Sequence, residues 1–330
     1  MSTQLVLRLI GAMQSTPNGS TTRVPVDGAG DVKVVGRWCR NTGNSVLAVH
    51  SDSVEIYRGR ITDPVLALPE ERSPGYRLWV YTNFHCNLAC DYCCVGSSPR
   101  AEPRTITVPQ FASIVEDAVG AEVGELCLTG GEPFMLLDID ERIRLATAAL
   151  PTIVLTNGML WRGERLRRLD GLPRENLTLQ ISLDSATDAI HDRHRGAGSF
   201  AKALAGIRQA KALGFQVRVA ATLTSQSLDD ERGLAALFDD LQLSSEQRVV
   251  RRLARQGAAN AGLVVSRTSL IPEICLTEEG AYWHPVAATD PSMLISSCWT
   301  PLRPVIAAAT DEYRQYRLTS DVLASSFPCA

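Results

Sequence analysis

Leu78-Trp79-Val80-Tyr81-Thr82-Asn83-Phe84-His85-Cys86-Asn87-Leu88-Ala89-Cys90-Asp91-Tyr92-Cys93 runs an apolar, aromatic segment directly into three cysteines spaced C-x3-C-x2-C. Residues 78–84 read as a β-strand, so the cysteines stand on the loop that leaves its carboxyl end. Three closely spaced thiolates can each serve one iron of a small cluster and leave a fourth iron without a protein ligand. An open coordination position of that kind makes a metal centre catalytic rather than structural. Zinc usually takes its ligands as two pairs, and the chain has no second C-x2-C or H-x3-H pair. A zinc knuckle and three unrelated buried thiols are the alternatives to the cluster.

Downstream of this loop, short apolar runs alternate with amphipathic segments, which predicts βα units and a parallel sheet. Strands are expected over 78–84, 125–128, 152–155, 177–183, 215–223 and 248–253, and helices over 108–119, 138–149, 163–169, 200–213 and 228–239. Six such units make the fold class α/β, a partial (β/α)6 barrel over 76–254. In such architectures the chemistry sits at the carboxyl ends of the strands. Residues 1–75 lack the rhythm; runs at 32–38, 45–50 and 54–57 between Gly, Asn and Pro clusters predict a small β-rich extension. Residues 255–330 form the third region.

Composition narrows the function. With 330 residues, 45% of them hydrophobic, the chain can bury a large core. The net charge of −3 arises from 33 basic and 36 acidic residues spread along the length, which argues against a nucleic-acid partner. The apolar start is interrupted by Arg8 and has no cleavage site, and no run reaches the length of a membrane span. A cytoplasmic protein with no membrane partner is expected, and in that reducing setting nine cysteines read as ligands, catalytic thiols or buried apolar residues.

Three further motifs fall at expected strand ends. Thr129-Gly130-Gly131-Glu132-Pro133 follows the second strand, where paired glycines admit close backbone approach. Thr156-Asn157-Gly158 closes the third, although Asn-Gly is also an ordinary turn pair. Ile181-Ser182-Leu183-Asp184 ends the fourth and leads to His191-Asp192-Arg193-His194-Arg195-Gly196.

Taken with these motifs, Cys-Asn-Leu-Ala-Cys-Asp-Tyr-Cys resembles the signature of the radical S-adenosylmethionine (SAM) superfamily in spacing and in the aromatic Tyr92. The resemblance covers residues 78–223. It implies a 4Fe-4S cluster on Cys86, Cys90 and Cys93, with Tyr92 beside it. It also implies that the Gly130, Gly131 and Glu132 strip receives the amino group of SAM, that Ser182 and Arg195 hold its carboxylate, and that Asn157 contacts the ribose or methionine. A guanidinium fork suits a carboxylate. The implied chemistry is reductive cleavage of SAM to a 5′-deoxyadenosyl radical that abstracts a hydrogen atom, with a flavodoxin- or ferredoxin-type electron donor.

Relatives often carry a C-terminal module, SPASM or the shorter twitch, that binds extra clusters; its hairpin reads apolar-Thr-x-x-Gly-x-x-x-Pro-Cys. Here Leu276-Thr277-Glu278-Glu279-Gly280-Ala281-Tyr282-Trp283-His284-Pro285-Val286 keeps the hairpin and puts valine where the cysteine is expected. An α+β, degenerate twitch-like region is therefore implied. Cys275, Cys298 and Cys329 either hold an auxiliary Fe-S cluster or are buried thiols, and Cys275 is a candidate hydrogen-atom donor should the reaction be an epimerisation. Cys94 and Cys127 carry no motif role. Trp283 and His284 are expected in packing or at the cavity, and Arg248, Arg251, Arg252 and Arg255 on a solvated face or, for one or two, in the barrel interior.

The reading that results is a radical SAM enzyme acting on a small natural product, sugar- or aminoglycoside-like, by dehydrogenation or epimerisation. The small molecule is preferred because residues 1–75 give no sign of the helices of a peptide-leader-binding module. A peptide maturase is the alternative, and a non-catalytic iron-sulfur or zinc protein is the rival from another class.

Overall fold

A computed structural model describes residues 3–59, 63–224 and 228–326. Chain contacts divide it into two units, Pro74–Ala309 and Met1–Ser73 with Thr310–Ala330.

The unit that begins the chain holds α1 (Thr3–Ser15), β1 (Thr21–Pro25), α2 (Ala29–Thr42), β2 (Ser45–Val49) and β3 (Ser53–Tyr57). Its strands form an antiparallel sheet in the order β1-β3-β2, with Val24 opposite Val54. Leu5, Leu9, Val35, Val54 and Ile56 make its core. The sheet agrees with expectation, but the run at 32–38 is no strand; it lies inside α2. Val35 and Cys39 are buried four residues apart, a helical period that outweighs the β preference of the valines. Gly43, at a left-handed φ of 71°, ends that helix.

In the unit Pro74–Ala309 the expected alternation is present: β4 (Arg77–Tyr81), α3 (Val108–Gly120), β5 (Glu125–Thr129), α4 (Ile139–Ala149), β6 (Thr152–Thr156), α5 (Glu164–Asp170), β7 (Leu177–Ser182), α6 (Asp188–Arg195), α7 (Ser199–Ala212), β8 (Gln216–Leu223), α8 (Leu228–Asp240) and β9 (Arg248–Arg252). Strands β4 to β9 pair in sequence order, all parallel, as helical crossovers require. The short helix α6 was not foreseen.

β10 (Cys275–Thr277), β11 (Gly280–Tyr282) and β12 (Leu294–Ser296) extend the same sheet, which runs β12-β11-β10-β4-β5-β6-β7-β8-β9 among the described residues. The expected hairpin exists as β10 and β11, and β10 lies parallel to β4 with Cys275 opposite Trp79. The sheet stays open, a partial barrel. The closing helix is α9 (Leu302–Ser326).

Strand periodicity decides what faces where. Leu78, Val80, Leu126, Leu128, Leu179, Ile181, Val217 and Val219 are buried on one face of the sheet. Their neighbours Trp79, Tyr81, Cys127, Gln180, Arg218 and Thr222 line a cavity on the other.

Candidate active site

The site begins where β4 ends. Thr82 donates its backbone N–H to the Thr129 carbonyl at 2.8 Å, so the chain past β4 and the Gly130-Gly131 strip past β5 run side by side. Gly131 N–H donates to Asn83 O at 2.9 Å and Glu132 N–H to His85 O at 3.1 Å. A Cβ on Gly131 would fall 2.2 Å from the His85 oxygen, and one on Gly130 2.3 Å from Asn83 Oδ1. The glycines are needed for this backbone-to-backbone contact, which seats the cysteine loop.

Cys86, Cys90 and Cys93 all face one cavity of about 590 Å³, together with Gly130, Gly131 and Arg195. Leu88 N–H points at Cys86 Sγ (3.4 Å) and Ser97 N–H at Cys93 Sγ (3.2 Å). Such donors tune thiolate sulfurs that hold iron. Burial pushes the Cys86 thiol up to about 12 and the Cys90 thiol up to about 11. Both are neutral until iron displaces their protons. No three His, Cys, Asp or Glu side chains among the described residues are grouped as the ligands of a single ion. A cluster makes a different demand, one thiolate per iron, and three thiols on one cavity wall with N–H groups at two sulfurs fit it.

α6 and the buried Asp184 lock this wall. The Asp184 carboxylate, 1% exposed, receives Arg195 Nε at 2.5 Å and Nη2 at 3.3 Å. It also receives Thr222 N–H at 2.9 Å from β8, and the Tyr92 hydroxyl from the cysteine loop. The Arg195 guanidinium lies 5.6 Å from the centre of the Tyr92 ring. Although burial opposes it, the Arg195 guanidinium and its hydrogen bonds hold Asp184 below the usual carboxylate range. Arg195 itself is raised well above its ordinary value, Asp184 outweighing burial. His194 Nδ1 meets Asp91 at 2.9 Å, a second tie from α6 to the loop. Arg195 lines the cavity as expected, but its fork is directed at Asp184, a residue the sequence reading quoted and gave no role. An acid two residues past Ser182, at a strand end, was the available signal.

His191, on α6, accepts the Asp184 backbone N–H at Nδ1 (3.2 Å) and sits edge-on to Phe200. Burial, with the Arg195 guanidinium adding to it, holds its pKa down to about 4 from 6.5. The ring is therefore neutral in the folded protein and its stabilising contribution is complete above about pH 6.5. That contribution is lost as pH falls toward about 4, because only the unfolded chain takes the proton in that window. Between neutral pH and about pH 5 the folded state should lose about 2 kcal/mol from this group. His191→Gln should flatten that stretch of a urea-unfolding pH profile, and an unchanged slope would show that His191 does not titrate this way.

The Glu132 side chain ties two strand ends together. Its carboxylate is buried and accepts Thr156 Oγ1 (2.7 Å), Asn157 N–H (2.8 Å) and Phe134 N–H (3.1 Å). Burial raises its pKa and these three donors oppose that. The side chain pins the end of β6 to the end of β5, outside the cavity lining. Asn157 reaches the cavity, and its Nδ2 donates to Asn87 Oδ1 at 2.8 Å, tying β6 to the cysteine loop. Ser182 lines the cavity at the end of β7.

Of the C-terminal cysteines, Cys275 and Cys298 do not line the cavity. Cys275 is fully buried between β4 and β11; its register beside Trp79 puts it on the cavity face of the sheet, but it is not among the residues that line the cavity. Fully buried and absent from that lining, its thiol does not open onto the cavity. Cys298 is exposed, and Cys329 lies outside the described residues. Cys275 faces Tyr282, which faces Leu294, so Cys298 starts two strand spacings away, roughly 9–10 Å, before four further residues are counted. Beyond the triad, the thiols that line the cavity are Cys94 and Cys127. His284 and Val286 also line it, while Trp283 is buried and its Nε1 donates to Leu270 O. Arg248 pairs outward with Asp239, whereas Arg251 and Arg252 reach the cavity. Among the described residues, no helix is long and apolar enough to cross a membrane.

Residues 80–234 match the family model described as the Radical SAM superfamily. The mycofactocin maturase MftC of Mycobacterium ulcerans (strain Agy99) is 32% identical over 163 residues, 49% of this chain and 43% of MftC. The sporulation killing factor maturation protein SkfB of Bacillus subtilis (strain 168) is 29% identical over 147 residues, 44% of this chain and 35% of SkfB. The chain therefore spans less than half the length of each. Among solved structures, native anSMEcpe with bound AdoMet and Kp18Cys peptide superposes with a TM-score of 0.56 at 13% identity, over 72% of this chain and 82% of that one, a likeness of fold. Residues 80–234, with their cysteine triad at the strand ends, are a radical SAM domain, of the kind that takes a 4Fe-4S cluster and S-adenosylmethionine.

Proposed function

We propose that this enzyme is a maturase that modifies a peptide, in place of the sugar-like small molecule expected from sequence. The observation that carries the reading is the similarity of just under half of the chain to maturation proteins, MftC and SkfB, at about 30% identity. The ground for preferring a small molecule was a first region without helices, and α1 and α2 remove it.

Bound cluster and S-adenosylmethionine supply one-electron cleavage of the sulfonium and, from it, hydrogen-atom abstraction from a substrate C–H bond. The chain's own residues then have defined tasks. Cys86, Cys90 and Cys93 ligate; the Gly130-Gly131 strip fixes the loop that carries them; Ser182 and Arg195 face the amino-acid end of SAM. Arg195 keeps its orientation through Asp184, so the cation is set in place before the ligand arrives. Cys275 and Cys298 hold no second cluster. A flavodoxin- or ferredoxin-type protein of the cytoplasm supplies the electron.

Anaerobically reconstituted enzyme with dithionite and SAM should convert a short precursor peptide encoded beside its gene, seen as a mass change by mass spectrometry and as peptide-dependent 5′-deoxyadenosine. Formation of 5′-deoxyadenosine that ignores such peptides and rises with an aminoglycoside-type sugar would sink the maturase reading.

A further inference from the structure

Part of the cavity wall carries positive charge that no carboxylate among the described residues neutralises. Arg218 on β8 and Gln180 on β7 are direct neighbours across the sheet, and both line the cavity. Arg218 lies between Val217 and Val219, which are buried on the other face, so its side chain is on the cavity side. Its Nε is a buried donor with no hydrogen-bond partner. Native proteins leave few such donors orphaned, and each one calls for an explanation. Arg251, one strand further, donates its Nε to Thr222 Oγ1 at 3.2 Å and has no ion pair among the described residues.

The other charges of this cavity are matched. Glu273, the carboxylate on its lining, receives Trp79 Nε1 at 2.7 Å and lies 3.8 Å from Arg77 Nη1, while Arg77 Nε meets Glu125 at 2.6 Å. Arg195 is matched by Asp184. Arg252 lies 3.9 Å from Glu231. Among the described residues, Arg218 and Arg251 remain, two guanidiniums in a half-enclosed space, one beside an amide. A planar fork next to an amide N–H group is a recognition set for a carboxylate.

We infer that Arg218 and Gln180, with Arg251 adding charge, form a subsite that binds a carboxylate of the substrate peptide, an acidic side chain or a free C-terminus close to the reacting residue. The inference rests on the peptide reading for the identity of the substrate and on the cavity alone for the anion. The carboxylate enters a region where water is partly excluded, so a charge-assisted fork there discriminates strongly against a neutral isostere. A wall of this kind fixes which residue of the peptide stands before the cofactor.

The test uses reconstituted holoenzyme with SAM and measures binding by saturation-transfer NMR and calorimetry. The probes are glutarate and three tripeptides, Ac-Ala-Glu-Ala-NH2, Ac-Ala-Gln-Ala-NH2 and Ac-Ala-Gln-Ala with a free carboxyl end. Glutarate and at least one carboxylate peptide should bind about tenfold or more tighter than the neutral glutamine amide. Which of the two peptides does so separates a side-chain source from a terminal one. Arg218→Gln should abolish the preference, Arg218→Lys should restore part of it, and the affinity for SAM should stay unchanged in both. Binding of glutarate with no binding of any peptide would keep the anion subsite and reject the peptide reading. Equal binding of charged and neutral probes to the wild type, a preference that survives Arg218→Gln, or a loss of SAM affinity in that variant would overturn the subsite.

Discussion

Replacement of Cys86, Cys90 and Cys93 by alanine together should leave a folded protein that holds no cluster and forms no 5′-deoxyadenosine with dithionite and SAM. The three side chains are small, Cys90 and Cys93 are only partly buried, and none is paired with another cysteine, so their loss removes little packing. The loop is held by backbone contacts that do not involve the sulfurs, Gly131 to Asn83 and Glu132 to His85. Asn157 adds a side-chain tie at Asn87. Circular dichroism should therefore remain native while iron falls from about four per chain, the content of one cubane, to none. Wild type with about eight irons, dropping by half when Cys275 and Cys298 are replaced, would instead establish an auxiliary cluster.

The second large effect is expected at Asp184. Asp184→Ala leaves the Arg195 guanidinium, 10% exposed, without its counter-charge and removes the acceptor for Tyr92 and for Thr222 N–H. Breaking a buried pair on one side costs about 3–5 kcal/mol, because the remaining charge stays desolvated. Urea unfolding of the cluster-free protein should register a loss of that size. SAM affinity should fall as well, since Arg195 loses the group that orients it and α6 loosens from the cysteine loop. Arg195→Met in the same background should recover part of the stability and none of the affinity, as an apolar replacement removes the stranded charge. A double variant no more stable than Asp184→Ala alone would show that the pair is not what holds this wall.

How much of this was legible depends on the range of the interactions. The C-x3-C-x2-C loop, the Gly-Gly turn and the six parallel strands are written in contiguous residues, by spacing and by period, and the structure has them where expected. The run Val32 to Trp38 misled because valine favours strands intrinsically, while the burial of Val35 and Cys39 four apart belongs to a helix. Pairing of β10 with β4 joins Cys275 to Trp79 across most of the chain, and no local signal carries it. That one pairing buries Cys275 within the sheet, on the face that carries the cavity. The roles of Asp184 and Glu132 were hidden for a related reason. Each holds groups from other strands or loops, Thr222 and Tyr92 for Asp184, Thr156 and Asn157 for Glu132, and only the folded sheet brings them together. A signal for the cavity wall did exist, in Gln180, Arg218 and Thr222, polar residues at alternate positions of otherwise apolar strands.

The claim beneath all of this is that three thiolates hold a cluster whose remaining iron is open to SAM. Electron paramagnetic resonance of the dithionite-reduced, anaerobically reconstituted wild type, recorded before and after addition of SAM, tests it most directly. The structure leads to one cubane signal whose g values change when SAM is added, with the change lost in the Asp184→Ala variant that disorients Arg195. A spectrum that SAM leaves untouched would mean that no iron is open, and would contradict the account.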